Sequence, residues 1–318
     1  MSSDAPPVPA GRPSLPATRT PRAPRTRRPS AAVRRRRSIH RLRAVRRVVQ
    51  LGVAALILVA AIRHSGAASG STASTDALCP FGAVETLWTY LTTGSLIRKT
   101  HPSNLVLGGA VLASLLLAGN AFCGWICPFG TLQDGLHALA RWLHIPQLRI
   151  PRRVDAALRW GRFVVLGVVV VASVETARLW FADYDPYATA FGLRWLTEPD
   201  LATIWPALLV LGVVLAGSLV VERFWCRYLC PAGAVFAVLG HLSILRIRRS
   251  SSTCTSCSLC TAPCPVGIDV SATTAAVSTD CIGCLDCVST CPVGGALSVQ
   301  AGIPLADITR RLTAGARS

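Results

Sequence analysis

Four long apolar stretches constrain the fold of this chain more than any other feature of its sequence. They run from Val48 to Ile62, Leu105 to Ala121, Phe163 to about Trp180, and Ile204 to Val221. A membrane-spanning helix needs about 20 predominantly apolar residues, because the hydrocarbon core of a bilayer is about 30 Å thick. The first stretch is short, but Arg46, Arg47 and Arg63 at its ends can reach toward the bilayer surface. The sequence therefore predicts an α-helical membrane protein with four transmembrane helices.

The distribution of arginine predicts how these helices are oriented. Residues 1–47 contain fourteen Arg and one acid, Asp4, and so supply most of the formal net charge of +18. Residues 141–162 and 223–249 are also rich in arginine, which is typical of cytoplasmic loops. We therefore expect a multi-pass protein of the cell (inner) membrane with both termini in the cytoplasm. No aromatic residues interleave with the arginines of the tail, which favours contact with anionic lipid over nucleic acid.

A different interpretation of the first apolar stretch stays open at this point. Residues 34–68 could form a cleaved secretory signal, with Arg46 and Arg47 as a twin-arginine pair and Ala67 and Ala68 near the cleavage site. In both interpretations residue 70 lies outside the membrane.

Two identical cysteine runs near the C-terminus predict iron–sulfur clusters. The spacing Cys-x2-Cys-x2-Cys-x3-Cys-Pro begins at Cys254 and repeats at Cys281. It is typical of bacterial ferredoxins with two [4Fe–4S] clusters, in which the fourth cysteine of each run binds the other cluster. Zinc sites usually pair two short Cys-x2-Cys hooks instead. The predicted ligands are Cys254, Cys257, Cys260 and Cys291 for cluster 1, and Cys281, Cys284, Cys287 and Cys264 for cluster 2.

A second cysteine pattern also occurs twice, as Cys-x3-Cys-Pro-x-Gly from Cys123 to Gly130 and from Cys226 to Gly233. Each copy follows a span predicted to run from outside to inside, so the four thiols could meet at the inner side of the membrane. Cys123, Cys127, Cys226 and Cys230 are therefore a candidate catalytic site, either a redox dithiol pair, a copper site or another metal site. Small buried cysteines that only pack are the alternative.

The remaining chemistry-bearing residues are predicted at the outer side. Cys79 precedes the second span and has no intrachain disulfide partner there, so it could be a free thiol, an intermolecular link or a ligand. His64, Glu85, His101 and Glu175 are candidates for a quinone or proton site. A carboxylate inside a span is usually functional, although Arg178 could simply pair with Glu175.

These patterns predict five regions. They are a disordered Arg-rich cytoplasmic tail (1–47), a four-helix transmembrane domain (48–233), an interfacial linker helix (234–249), an α+β two-[4Fe–4S] ferredoxin-like domain (250–300) and a C-terminal tail (301–318). Within the second region, leucines at helical spacing from Leu132 to Leu143 predict a helix lying on the inner surface.

From about Val48 to Leu297 the chain resembles the NapH/NosR/CcoG-like family of membrane-bound polyferredoxins. The likeness lies in the segment from Cys79 to Glu85, the two Cys-x3-Cys-Pro motifs and the paired ferredoxin runs. It implies an oxidoreductase role in electron transport, as the electron-transfer component of a quinol dehydrogenase that contacts quinone and a partner redox protein. The nitrate-reductase type is closest in size. The alternatives are copper handling or cupric reduction for metalloenzyme assembly, and a non-enzymatic iron–sulfur redox sensor.

Overall fold

The computed structural model describes residues 31–66, 103–148, 150–176, 180–193, 201–273 and 277–302. The helices are α1 (Ala31–Gly66), α2 (Ser103–Ala118), α3 (Ala121–Trp125), α4 (Pro128–Trp142), α5 (Arg152–Leu158), α6 (Gly161–Thr176), α7 (Pro186–Phe191), α8 (Leu201–Val220), α9 (Phe224–Tyr228), α10 (Pro231–Leu239) and α11 (Asp286–Thr290). Two strands, β1 (Leu245–Arg249) and β2 (Leu297–Ala301), form an antiparallel pair. Short 3-10 turns cover Trp180–Asp183, Gly240–Leu242 and Val270–Ala272.

Three helical segments among the described residues are long and apolar enough to cross a membrane. They are Arg41–Arg63, Arg152–Thr176 and Ala202–Val220. The second predicted span corresponds to α2, which has 16 residues and ends at Ala118. Gly119 follows with φ of +61°, a left-handed conformation that glycine adopts at low cost and that ends a helix. Four crossings therefore remain a prediction.

The first helix is longer than its apolar stretch. It begins at Ala31, so the last part of the tail predicted to be disordered through residue 47 is helical, which corrects that prediction. Within this part of the helix, Arg43 and Arg46 form ion pairs with Asp286, with 2.7 and 2.9 Å between the paired atoms. Composition alone could not reveal these partners.

The connection to the C-terminal domain also differs from its prediction as a helix over 234–249. Helix α10 begins earlier, at Pro231, and ends at Leu239. Residues 245–249 are instead strand β1, with Ile247 opposite Val299 of β2. Alternation of Arg246 and Arg248 with the buried Ile247 explains the strand, because one face packs on the ferredoxin core while the other carries charge.

Helix α4 confirms the predicted amphipathic helix, with bounds Pro128–Trp142. Its polar Gln133 and His137 are buried against the protein. Leu139 on another face is 45% exposed, so an apolar surface remains on this helix.

The segment after the third predicted span folds back against the helices. Helix α6 ends at Thr176, and residues 180–193 return to pack among the helices. The Phe181 ring stacks on Trp225, with 6.5 Å between centroids, and Tyr187 is buried in the same cluster. Irregular backbone at membrane depth is stable where protein surrounds it. Here Asp185 caps α7 by accepting a hydrogen bond from the Tyr187 backbone N–H.

Candidate redox site

The two ferredoxin runs adopt the same unusual backbone conformation. Ser256 and Gly283, each two residues after the first cysteine of its run, have φ of +55° and +60°. Ser258 and Leu285, each four residues after it, have φ of +58° and +62°. Positive φ is rare for side chains other than glycine and is maintained only where the fold needs it. The repetition shows that both runs form one kind of loop, which turns backbone N–H groups toward the thiols.

The first of the predicted ligand sets surrounds one small cavity of about 10 Å³. Its sulfur ligands would be Cys254, Cys257, Cys260 and Cys291, all of which line that cavity. The Cys254 sulfur accepts hydrogen bonds from the Ser256 backbone N–H at 3.4 Å and from Arg249 Nε at 3.2 Å. These hydrogen bonds stabilise a thiolate over a thiol, as a ligand to iron requires.

The other predicted set is more deeply buried. Burial, followed by repulsion from Cys281, Cys284 and Cys264, raises the pKa of Cys287, so these thiols lie close together. The Cys264 sulfur accepts a hydrogen bond from the Ile268 backbone N–H at 3.3 Å. Cys257 of the first set is exposed, whereas Cys284 and Cys287 of this set are buried. Both donor sets fit [4Fe–4S] clusters by chemistry and by number.

The four remaining described cysteines meet in a different cavity, of about 80 Å³, among the membrane helices. Its wall includes Cys123, Cys127, Cys226 and Cys230, with the aromatic residues Phe129, Phe181 and Trp225. Burial and then repulsion by the other three thiols raise the pKa of Cys123. The two sequence repeats therefore contribute equally to one site.

The repeats are equivalent in local geometry as well as in sequence. Cys127 and Cys230 each immediately precede a proline that starts a helix, with ψ of 115° and 114°. The residue before a proline is restricted to extended backbone, which directs both thiols toward the helix N-terminus. The sulfur of Cys127 accepts a hydrogen bond from the Gly130 N–H, and that of Cys230 from the Gly233 N–H.

A buried polar network that the sequence did not reveal surrounds this cavity. Gln133 donates from Nε2 to the Cys226 sulfur at 3.1 Å and accepts from the Trp225 backbone N–H at 3.0 Å. Arg223, fully buried, donates from Nη1 to the Cys123 carbonyl at 2.7 Å and binds both oxygens of Asp134. The sequence feature that could have indicated this network is the pair of polar residues Gln133 and Asp134 in the predicted surface helix, both of which face inward.

Asp185 is a second residue that sequence reasoning missed. It lines the thiol cavity, and its charge raises the pKa of Cys127 and Cys230 as a smaller contribution beside burial. The sequence feature that could have indicated a helix start at Asp185 is the dipeptide Asp185-Pro186, because proline is common at the first position of a helix.

The ferredoxin domain contacts the thiol cavity through its second run. Asn120 donates to the Thr279 carbonyl and Trp125 Nε1 to the Gly283 carbonyl, both at 2.9 Å. A Cβ atom on Gly124 would lie 2.1 Å from the Ile282 carbonyl oxygen, so only glycine permits this approach. Cys123 itself packs against the ferredoxin core. The loop from Cys281 to Cys284 therefore rests directly on the first Cys-x3-Cys motif.

Ion pairs hold the same interface on a second side. Asp280, next to Cys281, accepts hydrogen bonds from Arg159 at 2.8 Å and pairs with Arg162 at 2.7 Å. Arg159 also donates to the Val266 carbonyl at 2.7 Å, and Arg152 pairs with Asp269. The run centred on Cys281 is thus fixed to the helices by both polar and steric contacts.

Of the residues predicted for a quinone or proton site, only Glu175 has a described side chain. Glu175 is exposed near the end of α6 and does not line the thiol cavity. His64 lies within α1, but its side chain falls outside the described residues, as do Glu85, His101, Arg178 and Cys79.

Two family models match the chain. One described as "4Fe-4S binding domain" matches residues 100–146 and, separately, 203–250, which are the segments with the Cys-x3-Cys-Pro motifs. The other, described as "4Fe-4S dicluster domain", matches residues 246–292, the paired ferredoxin runs.

Curated relatives share these regions. The chain is 30% identical over 193 residues to "Putative electron transport protein YccM" of Escherichia coli, covering 60% of this chain and 54% of YccM. It is 33% identical over 176 residues to "Regulatory protein NosR" of Pseudomonas aeruginosa, covering 52% of this chain and 23% of NosR. "Ferredoxin-type protein NapH" of Haemophilus influenzae is 28% identical, covering 55% of this chain and 58% of NapH. The chain thus spans about half of YccM or less than a quarter of NosR. No solved structure matches significantly.

Proposed function

We propose that this chain, an iron–sulfur electron-transfer protein related to NapH and NosR, passes electrons between the quinone pool and a partner redox protein. One observation carries the proposal. The second ferredoxin run rests on Cys123, so a thiol site among apolar helices and a ferredoxin site outside them share one wall. An arrangement of this kind suits transfer from a membrane-soluble donor to a water-soluble acceptor.

The eight ferredoxin cysteines hold two [4Fe–4S] clusters in this proposal. Each cluster, when bound, accepts and releases one electron. Cys281, Cys284, Cys287 and Cys264 hold the cluster nearer the membrane helices, because their loops contact Gly124 and Trp125. Cys254, Cys257, Cys260 and Cys291 hold the outer one, where Cys257 is exposed. These contacts support the order of the two sites in this proposal, in which the outer set faces the partner protein.

We propose a multi-pass topology in which the ferredoxin domain and both termini are cytoplasmic. Arg46 at the start of the first span, Arg159 at the start of the third and Arg223 after the last all lie at the end that contacts the ferredoxin domain. Positive charge concentrates on the cytoplasmic side of membrane proteins. The contacts of Arg46 with Asp286 and Asp134 also favour retention of the first helix over its cleavage as a signal.

The experiment is anaerobic reduction of the protein in membrane vesicles by a soluble naphthoquinol, followed by EPR. A quinol supplies two electrons and two protons as it becomes quinone, and each ferredoxin cluster takes one electron. We expect Cys257→Ala to remove the outer signal and to leave quinol reduction of the inner one. Cys284→Ala should stop quinol reduction of the outer cluster, although dithionite still reduces it.

The proposal fails if naphthoquinol reduces neither cluster while dithionite reduces both. Equal effects of the two variants on quinol reduction would contradict the order of the sites.

A further inference from the structure

A third cavity lies where the membrane helices meet the ferredoxin domain, and we infer that it binds the headgroup of the quinol. We call it the junction cavity. Its lining comes from the end of α2, from the turn at Gly240, from β1 and β2, and from the loop of the second ferredoxin run. The inference rests on the proposed electron-transfer function and deepens it, because it names the residues that contact the electron donor.

The junction cavity has the size and lining of a site for a small organic molecule. Its volume of about 240 Å³ is three times that of the thiol cavity, about 80 Å³. A buried water molecule needs roughly 10–15 Å³ of such space, so the cavity has room for far more than a few ordered waters. Most of the side chains that line it are apolar, with a few polar groups among them, which is usual for sites that bind small organic molecules.

The loop of the second ferredoxin run separates the junction cavity from the thiol cavity. Thr279, Cys281 and Gly283 line the junction cavity. Asp280 and Ile282, which alternate with them along the chain, line the thiol cavity. A molecule in the junction cavity therefore lies against the loop that carries a ligand of cluster 2, the inner cluster. This contact gives a bound donor a short path for electrons.

One wall of the junction cavity is an aromatic ring held in a fixed orientation. Trp125 lines the cavity, and its Nε1 donates to the Gly283 carbonyl at 2.9 Å. Aromatic side chains pack well against other flat rings. The ring of a quinol headgroup is flat, so Trp125 offers it a rigid surface directly beside the cluster loop.

A hydroxyl group in the same wall can bind a quinol oxygen. The Thr279 carbonyl accepts a hydrogen bond from Asn120 Nδ2 at 2.9 Å, which holds this residue in the wall. Among the described residues the Thr279 hydroxyl has no hydrogen-bond partner. A threonine hydroxyl both donates and accepts, so it can accept from a quinol O–H and donate to a quinone oxygen.

The charges around the junction cavity suit a neutral ligand better than a phosphate. Of the described residues that line it, only Arg246 is charged, and its guanidinium donates to the carbonyls of Gly240 and Ser243 at 3.1 and 3.2 Å. The acid of the neighbouring loop, Asp280, lines the thiol cavity and pairs with Arg159 and Arg162. A phosphate would leave most of its oxygens facing apolar side chains, which is costly.

The junction cavity is open beside the apolar surface of α2. Leu245 and Val299 line it and are exposed. The Ile244 N–H donates to the Leu116 carbonyl at 2.9 Å, which joins the start of β1 to the last turn of α2. Leu116 and Leu117 on that turn are exposed as well. A quinol from the bilayer can therefore insert its headgroup while its apolar tail stays along α2.

Oxidation of a quinol in this cavity is balanced by the two ferredoxin clusters. One quinol becomes one quinone and releases two electrons and two protons. The inner cluster takes the first electron and passes it to the outer one, and then takes the second. The protons pass to water at the open side of the cavity, where Ser278 is exposed.

The first test is photolabelling of the full chain in membrane vesicles with an azido-naphthoquinone, followed by peptide mapping with mass spectrometry. We expect label on residues 118–125 and 277–285, and we expect excess naphthoquinol to prevent it. Label confined to other segments would overturn the inference. Label on these segments that naphthoquinol does not displace would assign the cavity to a different apolar molecule.

The second test measures the naphthoquinol concentration that gives half-maximal reduction of the clusters. Val299→Trp, which narrows the opening, should raise it by on the order of tenfold and leave dithionite reduction and iron content unchanged. Gln300→Trp, at the adjacent exposed residue that does not line the cavity, is the matched control. Thr279→Val removes one hydrogen bond and should raise the concentration about two- to tenfold.

A second pair of variants keeps the test decisive if Val299→Trp loses its clusters. Ala118→Phe fills the cavity from the α2 side, and Leu117→Phe, on the exposed surface next to it, is the control. Values for both filling variants equal to those of their controls would refute the site while quinol reduction, and with it the proposed function, persists. Failure of the proposed function looks different, because naphthoquinone would label the junction cavity but naphthoquinol would reduce neither cluster.

Discussion

Removal of the Asp134 carboxylate should destabilise the junction between the membrane helices and the ferredoxin domain. Asp134 binds Arg223 through two bonds of 2.7 and 2.8 Å and pairs with Arg46 at 2.9 Å. Arg46 continues to Asp286 of the ferredoxin domain at 2.9 Å. Asp134→Ala would leave the guanidinium of Arg223, which is 0% exposed, with only the Cys123 carbonyl as a partner.

The magnitude follows from the burial of Arg223. Breaking a buried ion pair by removing one partner costs about 3–5 kcal/mol, because an uncompensated charge remains in a poorly solvated site. In a protein of this size 1 kcal/mol shifts the unfolding temperature by about 2–4 °C. Asp134→Ala should therefore lower the unfolding midpoint by on the order of 10 °C. The double variant Asp134→Ala/Arg223→Met should recover part of this loss, since it buries no charge.

The assay is thermal unfolding of the detergent-solubilised protein under anaerobic conditions, followed by tryptophan fluorescence. Asp183→Ala, which removes an exposed carboxylate, is the matched control and should shift the midpoint little. A shift for Asp134→Ala within about 2 °C of this control would refute the reasoning. So would a double variant that is less stable than Asp134→Ala.

Two further predictions follow from the same interface. Gly124→Ala should slow quinol reduction of the ferredoxin clusters without loss of iron, because its methyl group displaces the Ile282 carbonyl. Gly135→Ala is the control, because a methyl group there meets open space. It should change neither the reduction rate in stopped-flow assays nor the iron content. Burial raises the pKa of Asp134, but Arg223 and Arg46 outweigh it and hold that pKa below its usual value. The stability that the Asp134 carboxylate contributes is therefore complete above about pH 4 and is lost as the pH falls further. Between about pH 5 and pH 3 the unfolding midpoint of wild type should fall more than that of Asp134→Asn. Equal falls of the two midpoints would contradict this.

Local patterns along the chain were sufficient for the iron–sulfur chemistry and for the long apolar helices. The spacing of Cys254 to Cys291 specifies cluster loops because a few consecutive residues place three thiols on one turn. Apolar length specifies a spanning helix because each helix satisfies its own backbone hydrogen bonds. The repeat of Cys-x3-Cys-Pro similarly indicated that Cys123 and Cys226 would share an environment, and both line the same cavity.

Tertiary structure alone decided which distant residues meet. Arg43 and Arg46, which precede the first apolar stretch, lie in helix α1 and pair with Asp286, some 240 positions away. Residues 245–249 form a strand because residues 297–301 provide the partner edge. Asp185 reaches the thiol cavity only because residues 180–193 return among the helices. Each of these features depends on a long-range contact whose stability comes from burial and charge pairing in the assembled fold, and no local periodicity encodes such a partner.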